Sequence, residues 1–191
     1  MAINPPADLP VPIYRQNPYR AECVPTCLSM VIDYLNSNRL NEPTLALTVS
    51  EIAEKVHTDI VGTAIEDVNL LNEDLAITRA VPSLEFNGSQ KPRQLDDIIA
   101  DYQNGLPTIA WVGVGDAPYM WKHAVVITSV SRSHNLVRYN EPAKGIKEEK
   151  NLHDFMVEWD KVDNWLVRLI LGRRDDRRLT EYPTVKVKAK K

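Results

Sequence analysis

Ala21-Glu22-Cys23-Val24-Pro25-Thr26-Cys27-Leu28-Ser29-Met30-Val31-Ile32-Asp33-Tyr34-Leu35 is the most strongly helical stretch of a 191-residue chain. Its positions Cys27, Met30, Val31, Tyr34 and Leu35 follow the i, i+3, i+4, i+7, i+8 spacing of a helix with one broad buried stripe. Proline is comfortable in the first turn of a helix, where its missing N–H has no partner to lose. Pro25 therefore fixes the helix start and sets Cys23 at or just before the N-terminus. There the unpaired N–H groups and the helix dipole favour an anion, which suits a thiolate at Cys23. Cys27, one turn further on, falls on the apolar stripe and reads as core.

Upstream, residues 1–18 hold five prolines and read as an extended lead-in that crosses the surface. Downstream, Ser50–Val56 and Thr63–Leu71 each open on a capping residue with acid close behind, which predicts two short helices. Pro92–Tyr102 predicts a third, with Leu95, Ile98, Ile99 and Tyr102 turned inward and Asn104-Gly105 closing it. After Gly105 the apolar period shortens from about 3.6 to about 2 residues. Thr108–Val114, His123–Ser131 and Leu136–Asn140 read as strands, the last two as an antiparallel hairpin. Leu152–Val162 returns to a helix and Trp165–Leu171 to a strand. Helices first and a sheet later is an α+β order, without the alternation of a doubly wound parallel sheet.

With 43% hydrophobic and 26% charged residues, the chain can bury a core and stay soluble. The organisation expected is a lead-in over 1–15, one domain over 16–172 and a basic tail over 173–191. The tail carries eight Lys or Arg against three Asp or Glu, which leaves −8 on the rest of a chain of net charge −3. An acidic body speaks against a nucleic-acid partner, and the tail suggests at most a weak anionic contact. The longest apolar runs, 106–114 and 124–130, fall short of the roughly 18 residues of a membrane helix, so no membrane span is expected. Met1–Asp8 has neither a basic nor an apolar signal region, which predicts a cytoplasmic protein. Two cysteines and no Cys or His cluster at zinc spacing predict no disulfide framework, structural metal or cofactor. Gly113-Val114-Gly115 lacks the third glycine and the following helix of a dinucleotide site.

Two residues stand out chemically. Cys23 sits where a nucleophilic thiol would be placed, and His123 opens a strand whose next residues, Ala124-Val125-Val126-Ile127, are apolar on both faces. A residue at the rim of a buried strand is delivered to a cleft. His57 and His153 fall in helices and His134 in the hairpin turn, where capping or solvation accounts for them. A cysteine nucleophile needs a base and a third polar group to orient that base. Asn140 and Glu141, at the far end of the hairpin, return close to His123. Side chains alternate along a strand, so an even hairpin loop puts Asn140 on the face of His123 and an odd loop puts Glu141 there. Either would accept the Nδ1 hydrogen of His123. The tryptophans 111, 121, 159 and 165 read as core and cleft-wall residues, with Trp121, two before His123, in reach of a substrate groove.

This order of cysteine on an early helix, histidine on a strand and Asn or acid on the next strand resembles that of papain-like cysteine peptidases. More narrowly, Ala21–Met30 resembles the Asp-Cys-Gly-x-x-Cys-Leu-x-Met signature of the double-glycine, bacteriocin-leader-processing peptidases, family thirty-nine of the papain clan. His123-Ala-Val-Val-Ile resembles the family's histidine strand. Tyr139-Asn140-Glu141-Pro142 is similar to its Asn-Asp-Pro segment, and Phe155 and Trp159 to the aromatics of its late helix. The resemblance implies a papain-like α+β fold and a thiol hydrolase acting on a peptide or protein. It implies Cys23 as nucleophile, His123 as base, Glu141 in place of the family's Asp, and Gln16 as oxyanion donor. Gln16 lies seven residues ahead of Cys23 where the family has six, so Asn17 stands as the alternative donor. Val24 replaces the Gly after the nucleophile. The same constellation also serves acyl transfer and deamidation, as in effector toxins, and a peptide-binding module without catalysis is the reading from another class.

Overall fold

A computed structural model of the chain describes residues 7–38, 47–64, 66–71, 77–80, 91–162 and 166–171. The basic tail and Trp165 lie outside the described residues. The elements are α1 (Cys23–Asn38), α2 (Val49–Lys55), a 3-10 turn (Glu66–Leu70), β1 (Ile77–Ala80), α3 (Lys91–Gln103), β2 (Thr108–Val114), β3 (Trp121–Ser131), β4 (Leu136–Glu141), β5 (Ile146–Asn151), α4 (Leu152–Asp160) and β6 (Leu166–Leu171). The six strands form one sheet in the order β1-β6-β2-β3-β4-β5, and every neighbouring pair is antiparallel. This is the α+β architecture expected of a papain-like domain.

Local chemistry explains most of the boundaries. Thr48, not Ser50, caps α2: its hydroxyl accepts from the Glu51 N–H while the Glu51 carboxylate accepts from the Thr48 N–H, a complete capping box. The segment expected as a second short helix narrows to the 3-10 turn. Strands β1 and β5 were not foreseen. β5 reads Ile-Lys-Glu-Glu-Lys-Asn, with no apolar alternation, because it is a sheet edge. Charges on an edge strand discourage pairing with another chain.

Helices cover both faces of the central strands, which is why β2 and β3 are apolar on both sides. On one face, α1 and α2 pack Leu28, Val31, Leu35 and Ile52 against Ile109, Trp111, Ala124 and Val126. On the other, Ile98 of α3 and Phe155 and Trp159 of α4 close over Ala110, Val112, Val125, Ile127 and Tyr139. Trp159 and Phe155 are the largest fully buried side chains among the described residues. The Tyr139, Phe155 and Trp159 rings contact one another at tilted angles, with centroids 6.2 and 6.1 Å apart.

The proline-rich lead-in is built into this core and does not merely cross the surface. Val11 is buried, and Leu9 and Tyr14 pack beside it. The Leu9 N–H donates to the Thr128 carbonyl (2.9 Å), and the Tyr14 hydroxyl to Asp33 (2.7 Å). Asp8 pairs with Arg138 and Lys147. The lead-in thus runs from the middle of β3 to the start of α1, with Gln16 near its end.

Candidate active site

Cys23 is the first residue of α1, and the Glu22 carbonyl accepts the first helical hydrogen bond, from the Thr26 N–H at 3.0 Å. The sequence places Pro25 inside the first turn as expected, so the helix end that carries Cys23 presents unpaired N–H groups and the positive pole of the dipole. Cys23 is partly exposed and Cys27 buried. The Cys27 thiol donates to the Ala124 carbonyl at 3.4 Å, and burial pushes its pKa well up, with the charges of Cys23 and Glu141 adding to the effect. Cys27 is a core thiol that ties α1 to β3.

His123 and Glu141 meet directly: His123 Nε2 lies 2.6 Å from Glu141 Oε1, with side chains only 13% and 9% exposed. The contact is through Nε2, not Nδ1 as the sequence reading supposed. With its Nε2 hydrogen given to the carboxylate, the ring has Nδ1 left for the thiol, and Cys23 lies near enough to help raise the imidazole pKa. Burial by itself lowers the imidazole pKa. The hydrogen bonds and charges of Cys23 and Glu141 outweigh it and lift the value from 6.5 to about 9. The ring is an imidazolium through neutral pH.

The choice between Asn140 and Glu141 turns on a β-bulge. The β3–β4 hairpin closes with Ser131 opposite Leu136, so its loop is even, and on that basis Asn140 would share the face of His123. Between Ile127 and Ser129, however, the register shifts: Ile127 pairs with Tyr139 and Ser129 with Arg138, which leaves Thr128 as the extra residue. One inserted residue reverses the parity of everything beyond it. Asn140 then lies opposite Val126 on the α1 face, fully buried, and its amide donates to the carbonyls of Val11 (3.2 Å) and Pro12 (3.0 Å). The structure therefore brings Glu141, and not Asn140, to His123. The Thr128 carbonyl is the one that receives the Leu9 N–H, so the lead-in also holds the bulge.

Gln16 is held between the two halves of the site. Its backbone N–H donates to the Pro142 carbonyl (2.9 Å), next to Glu141, and its side-chain Nε2 reaches the Arg20 carbonyl at a long 3.5 Å, three residues before Cys23. Its Oε1 is buried without a hydrogen-bond partner. Asn17 is engaged otherwise: its side chain accepts from the Tyr19 N–H (3.0 Å) and its carbonyl from the Arg20 N–H (3.1 Å), closing a turn. The Asn17 side chain is thus held by its oxygen in the turn, whereas the Gln16 amide nitrogen makes only the long contact to the Arg20 carbonyl.

The family model described as Peptidase_C39 like family matches residues 8–165. The chain belongs to this family. Membership makes it a papain-like cysteine peptidase in general type, with peptide as the substrate class. The matched span begins at Asp8, inside the lead-in, in keeping with the packing of that segment on the core. No curated protein matches the chain significantly.

Sequence reasoning missed two contributors. One is the Thr128 bulge. The other is the turn after Glu141, whose Ala143 N–H donates at 2.8 Å to Glu141 Oε1, the same oxygen that meets His123, and so fixes the carboxylate. Tyr19, Tyr119 and Trp121 are 93%, 83% and 66% exposed, whereas Trp111 and Trp159 are core. Among the described residues no group of three or more His, Cys, Asp or Glu side chains is arranged to hold a metal ion, and no helix is long and apolar enough to cross a membrane.

Proposed function

We propose that the chain is a thiol peptidase that cleaves an extended peptide segment through an acyl-enzyme on Cys23. The observation that carries this reading is the buried His123–Glu141 pair, joined at Nε2 at 2.6 Å, with Cys23 at a helix N-terminus near enough to help raise the imidazole pKa. An imidazolium beside a thiol at a positive helix end favours the thiolate, which is the nucleophile.

In the first half-reaction the Cys23 sulfur attacks the scissile carbonyl carbon. A C–S bond forms, and the carbonyl pair moves to oxygen, where the Cys23 N–H and the Gln16 amide receive the charge. Collapse restores the C=O and breaks the C–N bond, and the leaving amine takes its proton from the His123 imidazolium. In the second half, neutral His123 removes a proton from water. The hydroxide adds to the thioester, the acid departs, and the thiolate–imidazolium pair returns. Glu141 holds the ring in one tautomer and stabilises its charge throughout.

Exposed Trp121 shares a strand face with His123, two residues away and therefore about 7 Å along the strand. An extended peptide with its carbonyl at Cys23 would lay a side chain two residues from the cleaved bond over the indole.

Mass spectrometry of a peptide library incubated with the protein and with Cys23→Ala tests the reading. Backbone cleavage by the first and not the second is expected. A gain of about one dalton on Gln side chains, or adducts between peptides, would replace hydrolysis with deamidation or acyl transfer. If Cys23 alkylates no faster than free cysteine at pH 6, and no product is formed, the site is a binding cleft.

A further inference from the structure

We propose that Gly145 is a positioning residue for the oxyanion donor Gln16, acting through contact of the Glu141–Gly145 turn with Arg15. The inference rests on the reading of Gln16 given above. The turn closes with the Gly145 N–H on the Glu141 carbonyl at 2.8 Å. Gly145 has φ +67°, in the left-handed region, and a Cβ built on it would stand 2.7 Å from Arg15 Cβ and 3.1 Å from Arg15 Cγ. Arg15 Cβ is fixed to its own backbone, so a side-chain swing cannot relieve that approach. Residues 15–16 would have to move as a unit.

The neighbouring contact gives the position its consequence. Gln16 is tied to the same turn by its N–H on the Pro142 carbonyl. Two approaches, one hydrogen bond and one glycine-permitted backbone contact, therefore set where the Gln16 amide stands relative to the site. The same turn orients Glu141 through the Ala143 N–H, but by a different group on a different residue. Displacement of a donor by about 1 Å lowers rate on the order of 10²-fold, and loss of one oxyanion donor by about 10² to 10³. The turn thus couples the partner of the base and the donor for the oxyanion while leaving them separable by mutation.

Two small probes separate the two functions without a natural substrate. Iodoacetamide alkylates Cys23 by direct displacement and forms no oxyanion; p-nitrophenyl acetate acylates it through a tetrahedral oxyanion. Gly145→Asn keeps a residue that tolerates the left-handed region but adds the Cβ. It is expected to alkylate within about twofold of the parent across pH and to acylate about 10- to 100-fold more slowly, as Gln16→Ala does. Combining Gly145→Asn with Gln16→Ala should lower acylation no further than Gln16→Ala alone. Adding Arg15→Gly, which removes the opposing Cβ, should restore acylation to Gly145→Asn. Should Gly145→Asn fail to fold by circular dichroism, Arg15→Ile, which crowds the same contact from the other side, carries the same expectation. Equal loss in both reactions, additivity with Gln16→Ala, or unchanged acylation overturns the proposal. A parent protein whose Cys23 reacts with iodoacetamide no faster than free cysteine overturns the thiol-peptidase reading itself, and the role of Gly145 with it.

Discussion

Glu141 faces His123 because Thr128 is bulged out of β3: were Thr128 paired in the ladder, the even hairpin would offer the imidazole Asn140 instead. The two neighbours have been sorted to opposite faces of one strand, and each is committed. Glu141 accepts from His123 and from the Ala143 N–H, while Asn140 clasps the lead-in through the Val11 and Pro12 carbonyls.

Their substitutions should fail in different ways. Glu141→Gln is expected to lower kcat/KM by up to about 10³-fold, less than the roughly 10⁴ seen for orienting residues in serine triads because the ion pair already forms part of the work. Its Tm at neutral pH should fall as well, because the charged ring loses a buried partner, and that deficit should shrink above pH 9. Asn140→Ala leaves buried carbonyls without their donor, at about 2 kcal/mol, which lowers Tm by roughly 4–8 °C for a domain of this size. Its alkylation profile against pH should match the parent. A large kinetic loss with normal Tm in Asn140→Ala would show that the two roles had been exchanged.

Titration of His123 sets an upper limit on activity. Its pKa is raised from 6.5 to about 9, so the imidazolium, the proton donor of the proposed mechanism, is present through neutral pH and lost above about 9. The alkaline limb of kcat/KM should fall there. Glu141→Gln removes a raising influence, so its limb should move toward acid. Because the folded value is the higher one, the stability contributed by the charged ring is complete below about 6.5 and disappears as pH rises through 9. Denaturant midpoints of the parent and of His123→Gln at pH 6 and pH 10 check the sign: the difference between them should shrink at the higher pH.

Deleting Thr128 tests the bulge directly. With Thr128 gone, Ser129 follows Ile127 directly, the pairs Ile127–Tyr139 and Ser129–Arg138 run on without a shift, and Glu141 keeps the face of His123, so accelerated alkylation of Cys23 at pH 6 should survive the deletion; its loss would show that the bulge does not set the register in this way. Thr128→Val keeps the residue count and loses only a hydroxyl that reaches the Arg138 carbonyl at 3.4 Å. It should cost about 1 kcal/mol and leave reactivity intact.

The same bulge shows where reading a sequence stops. The Cys23 helix, the histidine strand and the late aromatic helix were legible because each carries a period or a proline that only one structure satisfies. Val125-Val126-Ile127-Thr128-Ser129-Val130 carries none: both faces of β3 are covered, so every position is buried and no alternation marks the skipped residue. β5 hid for the opposite reason, since its side chains are charged and its pairing is by backbone to β4. Tyr139 opposite Glu148, joined at 2.8 Å through the phenol, makes a polar cross-strand pair that no hydrophobic pattern announces. The lead-in was read from its prolines as a surface strap, and its two apolar anchors, half-buried Leu9 and buried Val11, are too few to form a period.

Trp121 gives the most direct handle on substrate choice. It is 66% exposed on the face it shares with His123, and its partner across β2, Val114, is exposed too. Such a pair at the mouth of a site presents apolar area that only an occupant would cover. Trp121→Ala should therefore raise KM for the best-cleaved library peptide by about tenfold, equivalent to about 1.4 kcal/mol of lost contact, with kcat little changed. Iodoacetamide, too small to reach the indole, should react with the variant as with the parent. The library's preference should flatten at one position, two residues from the cleaved bond, while the others keep theirs. Uniform loss of cleavage across all peptides, or a fall in kcat with KM unchanged, would mean that Trp121 supports the fold of the β2–β3 hairpin and does not meet the substrate.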